Sequence, residues 1–141
     1  MPYVSFAVLA LLALLVVALA QPRSAGADCI PALVERVHDG DTLRATIDGR
    51  SEPVRLLGID TPEIGDKARC PAEQAKAVAA RDRLRALVAA AGDRRLCTAG
   101  RDRYDRVLAS LLLDGQDASE RLIAEGLGRP YDGGRREGWC P

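Results

Sequence analysis

"DGDTLRATIDGRSEPVRLLGIDTPE", residues 39 to 63, carries two Asp-Gly pairs set among short β-prone runs. Thr42 to Ile47 lies between Asp39-Gly40 and Asp48-Gly49, Glu52 to Ile59 follows, and Ile30 to His38 precedes. An Asp-Gly pair between such runs is a strong hairpin signal. The stretch therefore predicts a meander of three antiparallel strands.

A two-residue turn at Asp48-Gly49 fixes the register and sets Asp41 opposite about Leu56. Asp60 then emerges beyond the start of the second strand, and Gly58 lets the chain bend back over it. In strand alternation Arg55, Leu57 and Ile59 share one face, so the Arg55 guanidinium needs an anionic partner there. Asp39, Asp41, Asp60 and Glu63 are expected to gather at one end of the sheet. With His38 the only imidazole in the chain, such a set of oxygen donors suits a hard cation: calcium, magnesium or manganese. Taken singly, Asp39-Gly40-Asp41 and Asp60-Thr61-Pro62-Glu63 read as ordinary turns. Their order and combination carry the site.

Downstream, Pro71 suits the first position of a helix. Ala77, Ala80, Leu84, Leu87, Val88 and Ala91 recur at helical spacing, and Gly92 suits its C-terminal cap. Arg94 to Thr98 and Arg106 to Leu113 read as two more strands, with Asp114-Gly115 as the turn that follows. Asp117 and Glu120 resemble a capping box for a short helix stopping at Gly126. Gly133-Gly134-Arg135-Arg136 reads as a surface tail. Five strands in this order close into a small barrel plugged by the first helix, or form an open sheet packed on it.

Phe6 to Ala20 is an unbroken apolar run, followed by a small-x-small site at Ala25-Gly26-Ala27. This is the pattern of a secretory signal covering 1–27, cleaved before Asp28 to leave a domain over 28–141. The run is shorter than the roughly 18 to 20 apolar residues that span a bilayer, so membrane contact is expected only through the signal. A chain of 141 residues with zero formal net charge suits one domain and shows no overall basic footprint. All four cysteines lie beyond residue 28, and export favours disulfides, of which three pairings are possible. No closely spaced cysteine pair suggests zinc.

Through "DGDT" at 39 to 42, "RLLGIDTPE" at 55 to 63 and "RDRYDRVLA" at 101 to 109, the chain resembles the thermonuclease (staphylococcal nuclease-like) family. The resemblance implies an α+β, mainly β fold: a five-stranded OB-fold barrel with a helix between strands three and four and a short C-terminal helix. It also implies a calcium-dependent nuclease that cuts DNA and RNA with low sequence specificity and leaves 3′-phosphate ends. With the signal, this makes a periplasmic or secreted enzyme, monomeric and without a stable protein partner. By motif position, Asp41, Asp60 and the backbone carbonyl of Thr61 are the calcium ligands, with Asp39 behind them. Glu63 is the general base, Arg55 and Arg106 clamp the phosphate, and Arg103, Tyr104 and Tyr131 lie on the substrate side. Asp105 stands where the family often has Gly, and Asp tolerates a left-handed backbone better than most residues. In such a barrel the first and fourth strands are neighbours, which favours Cys29 with Cys97 and Cys70 with Cys140. The competing reading is an OB-fold module that binds single-stranded nucleic acid without catalysis. Retention of Arg55, Arg106, Asp41, Asp60 and Glu63 favours the enzyme.

Overall fold

The computed structural model describes residues 28–141; the expected signal, 1–27, lies outside the described residues. The chain runs β1 (Cys29–Pro31), β2 (Leu33–Val37), β3 (Thr42–Ile47), β4 (Arg50–Leu56) and β5 (Ile59–Asp60). It continues through α1 (Pro71–Ala90), β6 (Arg94–Arg101), β7 (Val107–Leu113), β8 (Gln116–Asp117), α2 (Ala118–Ala124) and β9 (Arg129–Pro130). The class is α+β and mainly strand, with two helices, as expected.

Strands β2, β3 and β4 form the meander, with Ile47 opposite Arg50 across a turn in which Asp48 and Gly49 take φ of 50° and 75°. Positive φ at both central residues gives the hairpin turn whose twist matches the strands. The β2–β3 link is wider than the sequence suggests, because the amides of both His38 and Asp39 donate to the Thr42 carbonyl. Gly40 is needed there for space: a Cβ would lie 2.7 Å from Thr61 Cγ2 and 2.8 Å from Ala80 Cβ.

The main sheet has the order β1-β6-β7-β4-β3-β2, with β4 parallel to β7 and β8 added beside β7; β5 and β9 pair separately. The expected barrel closure is not seen, since no ladder joins the end strands β1 and β2 among the described residues. At Ala32, whose amide extends the β1–β6 register to the Arg94 carbonyl, the chain leaves that ladder. The expected first strand divides there, giving its first half to β6 and its second half to β3. The expected third strand divides as well. Gly58 takes φ of 78°, so Leu57 is only half-buried while Ile59 turns into the core, and the face expected to hold Arg55, Leu57 and Ile59 is lost.

All six apolar positions anticipated on α1 are buried, and Leu84, Leu87, Val88 and Ala91 join Leu43, Val54, Leu96 and Leu111 in one core. The helix starts at Cys70, whose sulfur accepts the Glu73 amide, with Pro71 as its first residue. Its end departs from expectation: Ala91 is the cap in an extended conformation, and Gly92 is not left-handed. The Asp114 carboxylate takes the amides of Gly92 and Asp93 instead, at 3.0 and 2.8 Å. Helix α2 begins as expected, with Asp117 accepting from the amides of Ser119 and Glu120, and ends at Gly126 with φ of 73°. Two disulfides, Cys29–Cys97 and Cys70–Cys140, account for all four cysteines.

Candidate active site

The meander register delivers the first half of the site. The Leu56 amide donates to the Asp41 carbonyl at 2.8 Å, so Asp41 stands beside the end of β4, where the turn count places it. Its Oδ1 accepts from the Thr42 hydroxyl at 3.1 Å and its Oδ2 from the Thr61 amide at 2.9 Å, tying the β2–β3 loop to the chain after β5. Asp39 Oδ1 stands behind, accepting the amides of Asp41 and Thr42 at 3.0 and 2.7 Å. Burial, reinforced by the negative charge of Asp41, pushes Asp39 up to about 6.

Arg55 finds its anion in Asp41: Nη2 lies 3.4 Å from Oδ2. Its Nη1 also donates to the Leu56 carbonyl at 2.7 Å and its Nη2 to the Ile59 carbonyl at 2.9 Å. A buried guanidinium is tolerated when its donors are used and its charge is paired. The same two carbonyls hold the bend at Gly58 in place, so Arg55 both charges the site and shapes the strand end that carries it.

Asp60 lies on β5, buried, with Arg129 opposite it on β9. Burial raises its carboxyl above the ordinary range, with the charge of Asp41 adding to the shift and Arg136, Trp139 and Arg55 opposing it. Glu63 is further out. Its amide donates to Glu73 Oε1 at 3.2 Å, and Glu73 Oε2 accepts the Arg69 amide at 2.8 Å. Glu73, only 3% exposed on α1, thereby pins the loop that aims Glu63.

Arg136, read as tail, and Trp139, not singled out in the sequence, contact the acidic cluster. Arg136 Nε lies 3.2 Å from Asp60 Oδ1 and its Nη1 lies 3.0 Å from Glu63 Oε1, while Trp139 Nε1 donates to Asp60 Oδ2 at 3.3 Å. The signal available in the sequence was Cys140: once it pairs with Cys70, seven residues beyond Glu63, the preceding tail must cross the acidic cluster.

Arg106 is paired close by in sequence. It precedes β7, whose Val107 pairs with Val54, and its Nε and Nη2 both lie 2.8 Å from Asp102 Oδ2. Asp105 before it takes the left-handed conformation, with φ of 62°. Tyr104, 64% exposed, has the Arg103 guanidinium 4.8 Å and the Arg106 guanidinium 5.6 Å from its ring centre. Tyr131 sits nearer the acids, its ring centre 6.0 Å from Arg55 and 5.5 Å from Arg136. Contacts link Asp39, Asp41, Arg55, Asp60, Thr61, Glu63 and Tyr131, directly or through Arg136, while Arg103, Tyr104 and Arg106 contact one another and Asp102 in the loop before β7.

The acidic group has the donor chemistry for a hard cation, being all oxygen. Asp60 Oδ1 and Thr61 Oγ1 are buried without a hydrogen-bond partner, as is Ser119 Oγ on α2, and in an acidic cluster such atoms are places for a water or an ion. Among the described residues, three acid or sulfur donors come within 4.8 Å of one another only at Cys70, Glu73 and Cys140, where the sulfurs are bonded together. The oxygens of Asp41, Asp60 and Glu63 stand further apart than that, with Arg136 between the last two.

A strand-rich α+β domain of the OB type, bearing carboxylates braced by a buried arginine at one sheet end, is the class that fold and site define. Residues 53–137 match the family described as Staphylococcal nuclease homologue, and the chain belongs to that family. It is 34% identical over 110 residues to the SPbeta prophage-derived endonuclease YokF of Bacillus subtilis (strain 168), covering 72% of this chain and 34% of that protein. Endonuclease YncB of the same strain is 35% identical over 104 residues, covering 68% of this chain and 46% of the relative. Thermonuclease of Staphylococcus intermedius is 35% identical over 97 residues, covering 69% and 57%. The chain therefore spans about a third to somewhat over half the length of these curated relatives.

Proposed function

We propose that residues 28–141 form a calcium-dependent nuclease that hydrolyses phosphodiester bonds in DNA and RNA with low sequence specificity. In this reading the protein is exported through the segment 1–27 and works as a monomer in the periplasm or outside the cell. The observation that carries the reading is the buried Asp41–Arg55 pair beside Asp60 and Thr61, whose Oδ1 and Oγ1 lack hydrogen bonds. Family membership and relatives named as endonucleases support it.

Asp41, Asp60 and the Thr61 carbonyl would hold calcium, which when bound supplies positive charge to a phosphate oxygen and acidity to a water. Glu63, the most accessible of the carboxylates named, accepts the proton of the water that attacks phosphorus. Arg55 meets the charge that builds on the equatorial phosphate oxygens, its guanidinium already oriented by two carbonyls. The P–O5′ bond breaks, leaving a 3′-phosphate. Arg106 stabilises the leaving oxygen after exchanging Asp102 for substrate, and Arg103, Tyr104 and Tyr131 hold the flanking nucleotides by charge and stacking.

The second reading is a single-stranded nucleic-acid-binding module without turnover. The contacts of Arg136 with Asp60 and Glu63 and of Arg106 with Asp102 favour it, because they occupy groups that catalysis needs. Digestion of single-stranded DNA by protein 28–141, with calcium and again with excess chelator, separates the two. Cleavage that disappears in chelator is the expected result. Binding without cleavage in both conditions selects the module, and equal cleavage in both refutes the metal-dependent mechanism.

A further inference from the structure

The segment from Tyr131 to Cys140 arches over the acidic cluster and is fixed at both ends. At one end the Tyr131 amide donates to the Gly58 carbonyl at 3.1 Å, directly after β9. At the other, Cys140 is bonded to Cys70, the residue that caps α1. Trp139 near that end has the Arg129 guanidinium 3.7 Å and the Lys76 ammonium 5.1 Å from its ring centre, and Arg129 also donates to the Gly138 carbonyl at 2.9 Å. Between the two ends, Arg136 puts one guanidinium against both Asp60 and Glu63. Beneath it is a cavity of about 90 Å³ bordered by Asp60, Thr61, Glu63, Arg136 and Trp139.

Two guanidiniums thus serve this acidic cluster, and they differ in how firmly they are held. The side chain of Arg55 is 6% exposed and uses two carbonyls besides Asp41, whereas that of Arg136 is 42% exposed. Its contact with Asp60 Oδ1 is one of charge alone, for that oxygen accepts no hydrogen bond. A divalent cation approaching Asp60 therefore meets a fixed charge in Arg55 and an exchangeable one in Arg136.

We infer that Arg136 is a built-in competitor for the cation. Its guanidinium and a divalent ion exclude each other at Asp60, and the Cys70–Cys140 bond keeps the guanidinium at high local concentration. The inference rests on the metal-dependent reading above. It makes the cation affinity of the site a property of the strap as well as of the ligands. Occupation by metal frees Glu63 from Arg136 in the same event, so the base becomes available only when the cation is present. Without the Cys70–Cys140 link the local concentration of the competitor falls and the balance shifts toward the ion.

The test is calcium titration by calorimetry of protein 28–141, of Arg136→Ala, of Arg136→Lys and of the double variant Cys70→Ser/Cys140→Ser, which keeps Cys29–Cys97. A partly exposed pair of this kind corresponds to a shift of roughly 2- to 5-fold in Kd. Arg136→Ala and the double serine variant are each expected to bind calcium more tightly by that factor, with Arg136→Lys closer to wild type. Trp139, the only tryptophan in the chain, gives a second readout without turnover. Its emission is expected to shift to the red on calcium addition to wild type, and to be shifted already in the calcium-free double serine variant. Calcium binding within twofold of wild type in Arg136→Ala overturns the inference and leaves the nuclease reading intact. Absence of calcium binding in every protein, with DNA cleavage undiminished in chelator, overturns the metal-dependent reading and this inference with it.

Discussion

Arg55 Nη2 lies 3.4 Å from Asp41 Oδ2 with both side chains almost wholly buried, at 6% and 9% exposure. Removing one partner leaves the other charge without compensation in a dry setting, which costs on the order of 3 to 5 kcal/mol. Arg55→Leu is therefore expected to lower stability by about that amount in urea unfolding. Arg55→Lys keeps the charge, but a single ammonium on a flexible stem does not reproduce the fork that spans Asp41 and the Leu56 and Ile59 carbonyls. It is expected to fold, with turnover on DNA down by roughly 10²- to 10³-fold.

Glu63 and Asp41 should separate base from ligand. Glu63→Gln keeps an oxygen for Arg136 but removes the proton acceptor, so turnover is expected to fall about 10²- to 10³-fold while calcium affinity is retained. Asp41→Asn should weaken calcium binding itself. Calorimetry and single-turnover cleavage on the two variants check this, and the assignment fails if both cleave DNA at the wild-type rate.

Asp39 predicts a pH dependence of stability. Its carboxyl is raised from 3.8 to about 6 in the folded chain, so the folded state binds the proton more tightly than the unfolded state. Stability from this group is present in full below pH 3.8 and is lost as the pH climbs through about 6. Asp39→Asn keeps the acceptor for the Asp41 and Thr42 amides and removes the titration. In chelator, the variant should match wild type near pH 4 and exceed it at pH 7 by at most about 3 kcal/mol, read from urea midpoints.

Gly40→Ala tests the contact between the Asp39–Asp41 loop and Thr61. The added methyl meets Thr61 Cγ2 and Ala80 Cβ at 2.7 and 2.8 Å, and neither belongs to a flexible chain end that can swing away. A loss of about 1 to 3 kcal/mol is expected, with a lowered Tm and weaker calcium binding, because Thr61 moves with the loop. An unchanged Tm would show that the loop gives way freely.

Much of this is legible in the residues. Asp48-Gly49 needs positive φ at two neighbouring positions, so it fixes the β3–β4 register and, through it, the place of Asp41. The buried face of α1 follows from spacing alone. What escapes has local as well as distant causes. The break at Ala32 directly follows Pro31, a local signal that reading Ile30 to His38 as one strand passed over. Alternation through Leu57 and Ile59 fails because the tertiary bend at Gly58 overrides strand period. The local pairing of Arg106 with Asp102, four residues earlier, went unread. Arg136 reaches Glu63 across 73 residues of chain, and only the Cys70–Cys140 bond makes that path legible in retrospect.

The two disulfides interleave: Cys29 closes with Cys97 and Cys70 with Cys140, so each bond encloses one cysteine of the other. A chain synthesised from its N-terminus presents Cys29 and Cys70 to oxidants before either correct partner exists. Where oxidation overtakes synthesis, the bond within reach is a wrong one, Cys29 with Cys70, which only thiol exchange undoes. Along that route maturation takes reshuffling as well as oxidation, a process of seconds to hours set by the available isomerase. Until Cys140 closes on Cys70 the strap is tied only at its Tyr131 end, and the cover over Asp60 and Glu63 waits on that bond.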